Sequence, residues 1–237
     1  MPGRPAKVDH VRDKFLDSVA SAGKLVDSVQ KVSVVNPQPG IPRLHIEQAR
    51  RVIELAFLGV VANWEEFLEQ SFVRYMAGAK SSGGTQPAFR MGKTVGIDHS
   101  YHVLSGDSSF DPTRNYSKFG EPKWVIDTAR IYFENGAPFA PRMQAYLEPL
   151  QAAIKIRNRV AHNSQKCRED FKKVAKVLLA LQSTAKLTQG YSVGDLLKTK
   201  PIAMFSNKIK AKYPTYFEAY CGLFTYLAHY IVAKEQR

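Results

Sequence analysis

Residues 52–64 of the chain read VIELAFLGVVANW, and this stretch decides the predicted fold. Its one charged side chain is Glu54, and the helical pattern extends on both sides to cover residues 43–76. A helix that is apolar on every side is stable in water only when other elements cover it. We therefore expect a central, buried helix around which the rest of the chain packs.

A carboxylate inside such a helix needs a partner, because an unpaired buried charge is costly. Arg157 is one candidate partner for Glu54. Three further glutamates on the same helix are alternative partners for a buried arginine: Glu65, Glu66 and Glu69. For Glu66 and Glu69 we expect exposure to water instead.

Apolar residues recur at helical spacing elsewhere in the chain, at residues 8–32, 124–133, 141–162, 171–181 and 213–231. With no internal repeat and no convincing strand, the chain is predicted to be all-α. We expect an N-terminal helix with a Pro-rich connector over residues 1–42. A helical domain then covers residues 43–237, and an irregular insertion interrupts it at 78–123, a length typical of functional or mobile loops.

The last helical stretch is an aromatic stripe made of Tyr213, Tyr216, Phe217, Tyr220, Phe224, Leu227 and Ile231. A stripe of this kind indicates a buried core face or the seam of a dimer. The sequence leaves both interpretations open.

The chain of 237 residues carries 34 Lys and Arg against 21 Asp and Glu, a formal net charge of +13. This excess favours polyanions, with RNA or DNA first and an anionic membrane second, while a merely basic surface is the neutral alternative. Cys167 and Cys221 show no CxxC spacing, and no signal peptide or membrane-spanning stretch is evident. We expect a cytoplasmic protein without a disulfide framework.

Residues 157–162 read RNRVAH, near the end of the helical stretch that begins about Pro141. Arg157 can hold a phosphate through two hydrogen bonds, and His162 can carry a proton near neutral pH. At about 100° per residue these two lie about 140° apart around a helix, whereas Asn158 and His162 share one face. Asn158 can therefore orient the imidazole.

Arg157 also falls within the apolar stripe of the same helix, which is formed by Met143, Leu147, Leu150, Ile154 and Ala161. An arginine directed at a core is costly unless it is paired or used. A buried ion pair at Arg157 with a surface histidine at His162 is thus the alternative to a functional site.

In this helical context, Arg-Asn followed by three residues and His resembles the Arg-x4-6-His signature of HEPN domains, named for higher eukaryotes and prokaryotes nucleotide-binding. Residues 60–69, VVANWEEFLE, are similar to the first long helix of the RiboL-PSP-HEPN branch. The resemblance covers roughly residues 43–76 and 124–187. It implies an antiparallel helical bundle with extra N- and C-terminal helices. In that family the signature marks metal-independent endoribonucleases of toxin–antitoxin, antiphage and CRISPR systems.

The resemblance implies that the RNA 2′-hydroxyl attacks the adjacent phosphorus and leaves a 2′,3′-cyclic phosphate. His162 would act as general base or acid, Arg157 would stabilise phosphoryl charge, and Asn158 would position the imidazole or a phosphate oxygen. The residues expected to hold flanking phosphates are Lys155, Arg159, Lys166, Arg168 and Lys172.

No metal or cofactor is expected, because Asp98, His99 and His102 lack credible ligand spacing and suit a solvated loop better. A two-fold dimer would supply a second Arg157 and His162 to a composite site. An antitoxin or defence-system protein is a possible further partner.

Two other functions stay open. A non-catalytic HEPN-like domain would bind RNA or a partner protein, with Arg157 in a structural ion pair. A basic DNA-binding regulator would also suit the charge, although the sequence holds no convincing helix-turn-helix pattern.

Overall fold

The computed structural model describes residues 7–32, 44–115 and 118–234, and these ranges are helical without a β-strand. Their one β-type pairing is an isolated bridge between Phe89 and Phe133. The helices in chain order are α1 (Asp9–Val32), α2 (Ile46–Met76), α3 (Ile97–Ser105), α4 (Pro122–Tyr132), α5 (Ala140–Ala145), α6 (Leu147–Ala161), α7 (Gln165–Leu178), α8 (Val193–Lys198), α9 (Asn207–Lys212) and α10 (Tyr216–Ile231). The all-α prediction is confirmed, and the predicted Pro-rich connector lies outside the described residues.

α2 is the long helix that the opening stretch predicted. It has 31 residues, which at 1.5 Å per residue gives a length of about 46 Å. Ile53, Phe57, Val61 and Trp64 are each at most 1% exposed. Burial is incomplete, however, because Leu55 is 47% exposed. The helix is therefore buried over most of its circumference and open along the face that Leu55 marks.

The described residues form two compact units, and the first contains those of Met1–Asp17, Ala62–Leu150 and Phe224–Arg237. Its core is aromatic: the ring of Phe72 lies 4.9–5.5 Å, between centroids, from those of Phe119, Phe133 and Phe139. Aromatic rings in such tilted arrangements bury large areas and interact favourably beyond that burial.

A buried arginine anchors the start of α1 within the first unit. Arg12 is 2% exposed, and its Nη1 donates to the carbonyl of Val232 at 3.0 Å. Its Nη2 lies 2.9 Å from Asp13, while Asp9 accepts hydrogen bonds from the backbone N–H and hydroxyl of Ser82. Every charge in this group has a partner, which is the condition for burying charge at acceptable cost.

In the first unit, the two glutamates that were predicted to face water differ in their exposure. Glu66 is exposed and pairs with Lys14 at 2.6 Å, so exposure is confirmed there. Glu69 is half-buried and accepts a hydrogen bond from the hydroxyl of Tyr101 at 2.8 Å. The prediction for Glu69 is wrong, because Tyr101 on α3 covers it.

The second unit contains the described residues of Ser18–Val61 and Gln151–Leu223. Tyr216 is fully buried within it, and its hydroxyl serves three backbone groups. It donates to the carbonyl of Leu178 and accepts from the N–H groups of Ile202 and Ala203 at 2.9 and 3.1 Å. One phenol thus joins α10, the end of α7 and the loop after α8.

Close packing in the second unit depends on one glycine. A Cβ at Gly194 would lie 2.8 Å from the backbone oxygen of Arg50, so no larger residue fits without movement. Asp195 beside it lies 2.6 Å from Nε of Arg50 and completes a capping box with Ser192 at the start of α8. The first turn of α8 is therefore fixed against the N-terminal part of α2.

The prediction that one helix runs from Pro141 into the RNRVAH motif is wrong. α5 and α6 are separate helices that break at Tyr146, where φ is −119° and ψ is 23°. Pro149 explains the break: proline lacks an N–H and its ring collides with the carbonyl four residues earlier, so it is tolerated only in the first turn of a helix.

The buried face of the motif helix differs from the predicted apolar stripe. Along α6 the buried positions include Leu150, Ala153, Ile156 and Val160, whereas Ala161 is exposed. Arg157 lies at the edge of this face and is half-buried rather than enclosed in the core.

Two further expectations change. The predicted irregular insertion at 78–123 contains α3, which ends at Gly106 with φ of 70°, a left-handed position that favours glycine. The aromatic stripe on α10 belongs to the core, because six of its seven members are each at most 2% exposed: Tyr216, Phe217, Tyr220, Phe224, Leu227 and Ile231. It therefore does not form a dimer seam.

Candidate nucleic-acid interface

His162 lies in the three-residue link between α6 and α7. Its backbone N–H donates to the carbonyl of Asn158 at 2.9 Å, which continues the α6 hydrogen-bond pattern by one residue. Ser164 caps α7 by accepting from the N–H of Cys167 at 3.2 Å. The link is thus held at both ends, while the side chain of His162 remains exposed to solvent.

His162 lines a concavity of about 380 Å³ in the second unit, which we name the histidine concavity. The other charged or amide side chains in its lining are Arg51, Glu54, Arg159 and Asn163. An accessible imidazole therefore shares one open site with two guanidinium groups. A proton carrier and phosphate-binding cations are the parts that acid–base chemistry at a phosphodiester requires.

Glu54 reduces the positive charge on one side of this site. It accepts hydrogen bonds from Nη1 of Arg51 and from the backbone N–H of Gly194, each at 3.1 Å. The predicted pairing of Glu54 with Arg157 is therefore wrong, since Arg51, one turn earlier on α2, takes that place. Arg159 is the guanidinium of this concavity that no described carboxylate approaches within 4.0 Å.

Arg157 and Asn158 are not among the described residues that line the histidine concavity. Nη1 of Arg157 donates to Oδ1 of Asn158 at 2.9 Å, so the residue expected to orient His162 has its side-chain oxygen engaged by the guanidinium. This agrees with the angle of about 140° between positions 157 and 162 on a helix. Within one copy of the chain, His162 shares its concavity with Arg159 rather than with Arg157.

A second concavity of about 540 Å³ adjoins the first, and we name it the basic concavity. The two share the lining residues Arg159, Phe171 and Tyr191. Its cationic lining residues are Arg159, Arg168, Lys172, Lys176 and Lys186, against one carboxylate, Glu169. Burial raises the pKa of Tyr191 in its wall. The excess of cations favours an anionic ligand.

Three cations of the basic concavity form a row on α7. Arg168, Lys172 and Lys176 are spaced four residues apart, so they project from one face of the helix at intervals of about 6 Å along its axis. Nζ of Lys176 also donates to the carbonyl of Ser183 at 2.6 Å. The row follows the helix rather than surrounding a single point.

Asn163 is the residue that the motif pattern did not indicate. Its Oδ1 accepts hydrogen bonds from Nη1 of Arg159 at 3.3 Å and from Nε of Arg168 at 3.1 Å. One neutral amide thus holds two guanidinium groups that lie nine positions apart on neighbouring helices. The only signal in the sequence is the short α6–α7 link, which brings the end of one helix close to the start of the next.

The structure separates the five cations that were predicted to hold phosphates. Arg159, Arg168 and Lys172 line the basic concavity, whereas Lys155 and Lys166 are not among its described lining residues. Lys166 lies 2.6 Å from Asp170, and this hydrogen bond raises the pKa of the lysine. Lys172 is also engaged, with Glu169 at 2.9 Å.

No protein-family model matches this chain, and neither a curated protein nor a solved structure is significantly similar to it. Within the described ranges, no helix combines the length and apolarity needed to cross a bilayer. The same ranges hold no group of three or more His, Cys, Asp or Glu side chains placed to bind a metal ion. Fold and site together define a basic, all-α protein with an accessible imidazole beside a cationic concavity.

Proposed function

We propose that this protein is an endoribonuclease of the HEPN kind that cleaves RNA without a metal ion. The observation that supports the proposal most directly is the exposed imidazole of His162 in a concavity that also contains Arg159. The adjoining basic concavity offers a path for the rest of the strand. The proposal also draws on the resemblance of residues 157–162 to the HEPN signature.

The reaction is an internal transesterification. The 2′-oxygen loses its proton and forms a bond to phosphorus, the bond from phosphorus to the 5′-oxygen breaks, and the 5′-oxygen gains a proton. The products are a 2′,3′-cyclic phosphate and a 5′-hydroxyl. His162 moves one of these protons, and the HEPN resemblance assigns to Arg157 of a second copy the holding of the phosphoryl oxygens as charge develops on them.

One histidine does not readily serve as acid and base in the same step, so we propose a two-fold dimer as the active form. Within one copy, Arg157 is not among the described residues that line the histidine concavity. A symmetric dimer can bring Arg157 of one copy to His162 of the other, as the HEPN resemblance implies. With the aromatic stripe of α10 buried, the surface around the end of α6 is the candidate interface.

The test is a cleavage assay on single-stranded RNA with His162→Ala. Loss of a proton-transfer group is expected to slow cleavage about 10²- to 10⁴-fold. His229→Ala is the matched control, because His229 is exposed on the last turn of α10 and lines neither concavity. Cleavage should persist in EDTA and give termini that mass spectrometry identifies as 2′,3′-cyclic phosphates. Cleavage by folded His162→Ala at the parental rate contradicts the proposal.

A second candidate function is a non-catalytic RNA-binding or protein-binding module of the same kind. The hydrogen bond between Arg157 and Asn158, both half-buried, favours it, because a guanidinium engaged within its own helix suits a structural role. Specific RNA binding by the parent protein without cleavage would select this function.

The biological role that we propose is that of a cytoplasmic toxin or antiphage effector, held in check by an antitoxin or defence-system partner. Expression of the parent chain in a bacterial host should then arrest growth, and His162→Ala should relieve the arrest at equal protein level. Growth inhibition by both proteins alike would contradict an effector role based on cleavage.

A further inference from the structure

The side chain that joins Arg159 and Arg168 is the neutral amide of Asn163. Guanidinium groups repel each other, and a carboxylate between them would offset the repulsion. Asn163 supplies the hydrogen-bond acceptor for Arg159 and Arg168 but no negative charge. No described carboxylate forms an ion pair with either arginine. The two positive charges therefore remain available to an anion from solution.

The position of this pair indicates what kind of anion it takes. Arg159 lines both concavities, so the pair lies where the histidine concavity meets the basic one. From Arg168 the row of cations continues along α7 to Lys172 and Lys176, at intervals of about 6 Å. A free nucleotide would use one end of this row, whereas a polymer with a phosphate at each residue can also reach Lys176, beyond the Lys172 that pairs with Glu169.

We infer that Arg159 and Arg168, positioned by Asn163, bind a backbone phosphate of single-stranded RNA next to the phosphate that lies beside His162. The strand then continues along the α7 row. Paired guanidinium groups suit a phosphodiester because each offers parallel N–H donors to its oxygens. This inference rests on the proposed function for the identity of the substrate, and it assigns Asn163 as a positioning residue.

Binding is measured by fluorescence anisotropy with a 2′-O-methyl oligoribonucleotide, which the enzyme cannot cleave because the attacking hydroxyl is blocked. In Asn163→Asp the acceptor oxygen stays and a negative charge is added between the arginines. Affinity is expected to fall about tenfold or more, the cost of a lost charge-assisted contact. The slope of log K against log salt should become shallower by about 0.7, the value of one phosphate on a single strand.

The matched control is Asn207→Asp, which makes the same change in charge at an exposed position on α9 that lines neither concavity. It should bind within about twofold of the parent with the same slope, since a carboxylate in the first turn of a helix is tolerated. Parental affinity and slope in Asn163→Asp would overturn the inference. So would equal weakening by both variants, which reports net charge alone.

If Asn163→Asp does not fold by circular dichroism, Arg168→Gln is measured instead, because Arg168 is exposed. A parental salt slope in that variant would overturn the inference. Binding of ATP, but not of the oligonucleotide, in a manner sensitive to Asn163→Asp would also overturn it by assigning the pair to a free nucleotide.

The proposed function and this inference fail separately. If the parent binds the blocked oligonucleotide with the expected dependence on Asn163 but cleaves no RNA, the inference stands and cleavage is excluded. If the parent cleaves RNA while Asn163→Asp binds and cleaves like the parent, cleavage stands and the inference is overturned.

Discussion

Replacing Lys176 and Lys186 by glutamine is expected to flatten the salt dependence of RNA binding. The basic concavity offers contacts for about three phosphates, one at the paired arginines and one at each of these lysines, since Lys172 is engaged by Glu169. At about 0.7 per phosphate for a single strand, log K falls with log salt at a slope of about −2.1. A fourfold rise in salt then weakens parental binding about 20-fold.

The double variant retains about one phosphate contact, so its slope should be about −0.7 and the same rise in salt should weaken binding about threefold. The measurement is a titration of a blocked single-stranded oligonucleotide from about 50 to about 200 mM salt. Melting curves check the fold, because Nζ of Lys176 also holds the carbonyl of Ser183.

The matched control is the double variant Lys198→Gln and Lys200→Gln, which removes two exposed lysines outside both concavities. Its slope should stay near the parental value. Equal flattening by the two double variants would mean that the net charge of +13 attracts RNA diffusely, which would refute the concavity as the binding track. A parental slope in Lys176→Gln/Lys186→Gln would refute it as well.

Three further predictions follow from the described contacts. Tyr216→Phe leaves two backbone N–H groups without their acceptor. The substitution should lower the free energy of unfolding by about 2–3 kcal/mol. Chemical denaturation tests this, and Tyr226→Phe at an exposed position is the control. Partial burial acts to raise the pKa of Asp9, but hydrogen bonds from Ser82 and the charge of Arg12 hold it below its ordinary value. A carboxylate whose pKa is lower in the folded state stabilises the fold at pH values above its unfolded-state pKa. That stabilisation is lost as the pH falls through the folded-state pKa. Asp9→Asn should therefore have a lower free energy of unfolding than the parent near neutral pH, and this difference should disappear below about pH 4. An equal difference at both pH values would contradict this. Mixing inactive Arg157→Ala with inactive His162→Ala should restore up to about a quarter of parental cleavage if the dimer shares its sites. Half of the dimers are then mixed, and each mixed dimer holds one intact pair of Arg157 and His162. No recovery in a confirmed mixed dimer would exclude the shared site.

Hydrophobic periodicity predicted the long elements well and the short ones poorly. α1, α2, α7 and α10 lie within a few residues of the stretches that the pattern indicated, because each buries a continuous face. α3 has nine residues within a segment rich in Gly, Asp and Ser, and its local composition resembles a loop. Tertiary contacts decide such a helix, through groups like the Ser100 hydroxyl that donates to the carbonyl of Val73 at 3.0 Å.

The break between α5 and α6 was predictable from physical chemistry but was not predicted. Pro149 stands four residues after Ala145, the distance at which its ring excludes a continuous helix. A single apolar stripe drawn across the break predicts that Arg157 lies inside a core. In the structure the buried face of α6 runs through Ala153, Ile156 and Val160, and Arg157 lies at its edge.

The candidate site was predictable as residue types and not as an arrangement. The angle of about 140° between positions 157 and 162 already indicated that Arg157 and His162 do not share one side of a helix. That angle could not show which arginine replaces Arg157 beside His162. The convergence of Arg159 and Arg168 on Asn163 depends on the path of the link between two helices, which no period in the sequence encodes.

The cations of α6 and α7 in the second unit differ in their partners, which are carboxylates for some and a neutral amide for others. On α7, two lysines are matched with carboxylates one turn away, Lys166 with Asp170 and Lys172 with Glu169. Such exposed pairs contribute little to stability, but they remove those lysines from competition for an anion. Arg159 and Arg168 are instead held by a neutral amide. Positive charge is therefore concentrated beside His162, where the proposed chemistry requires it, rather than spread evenly over a basic surface.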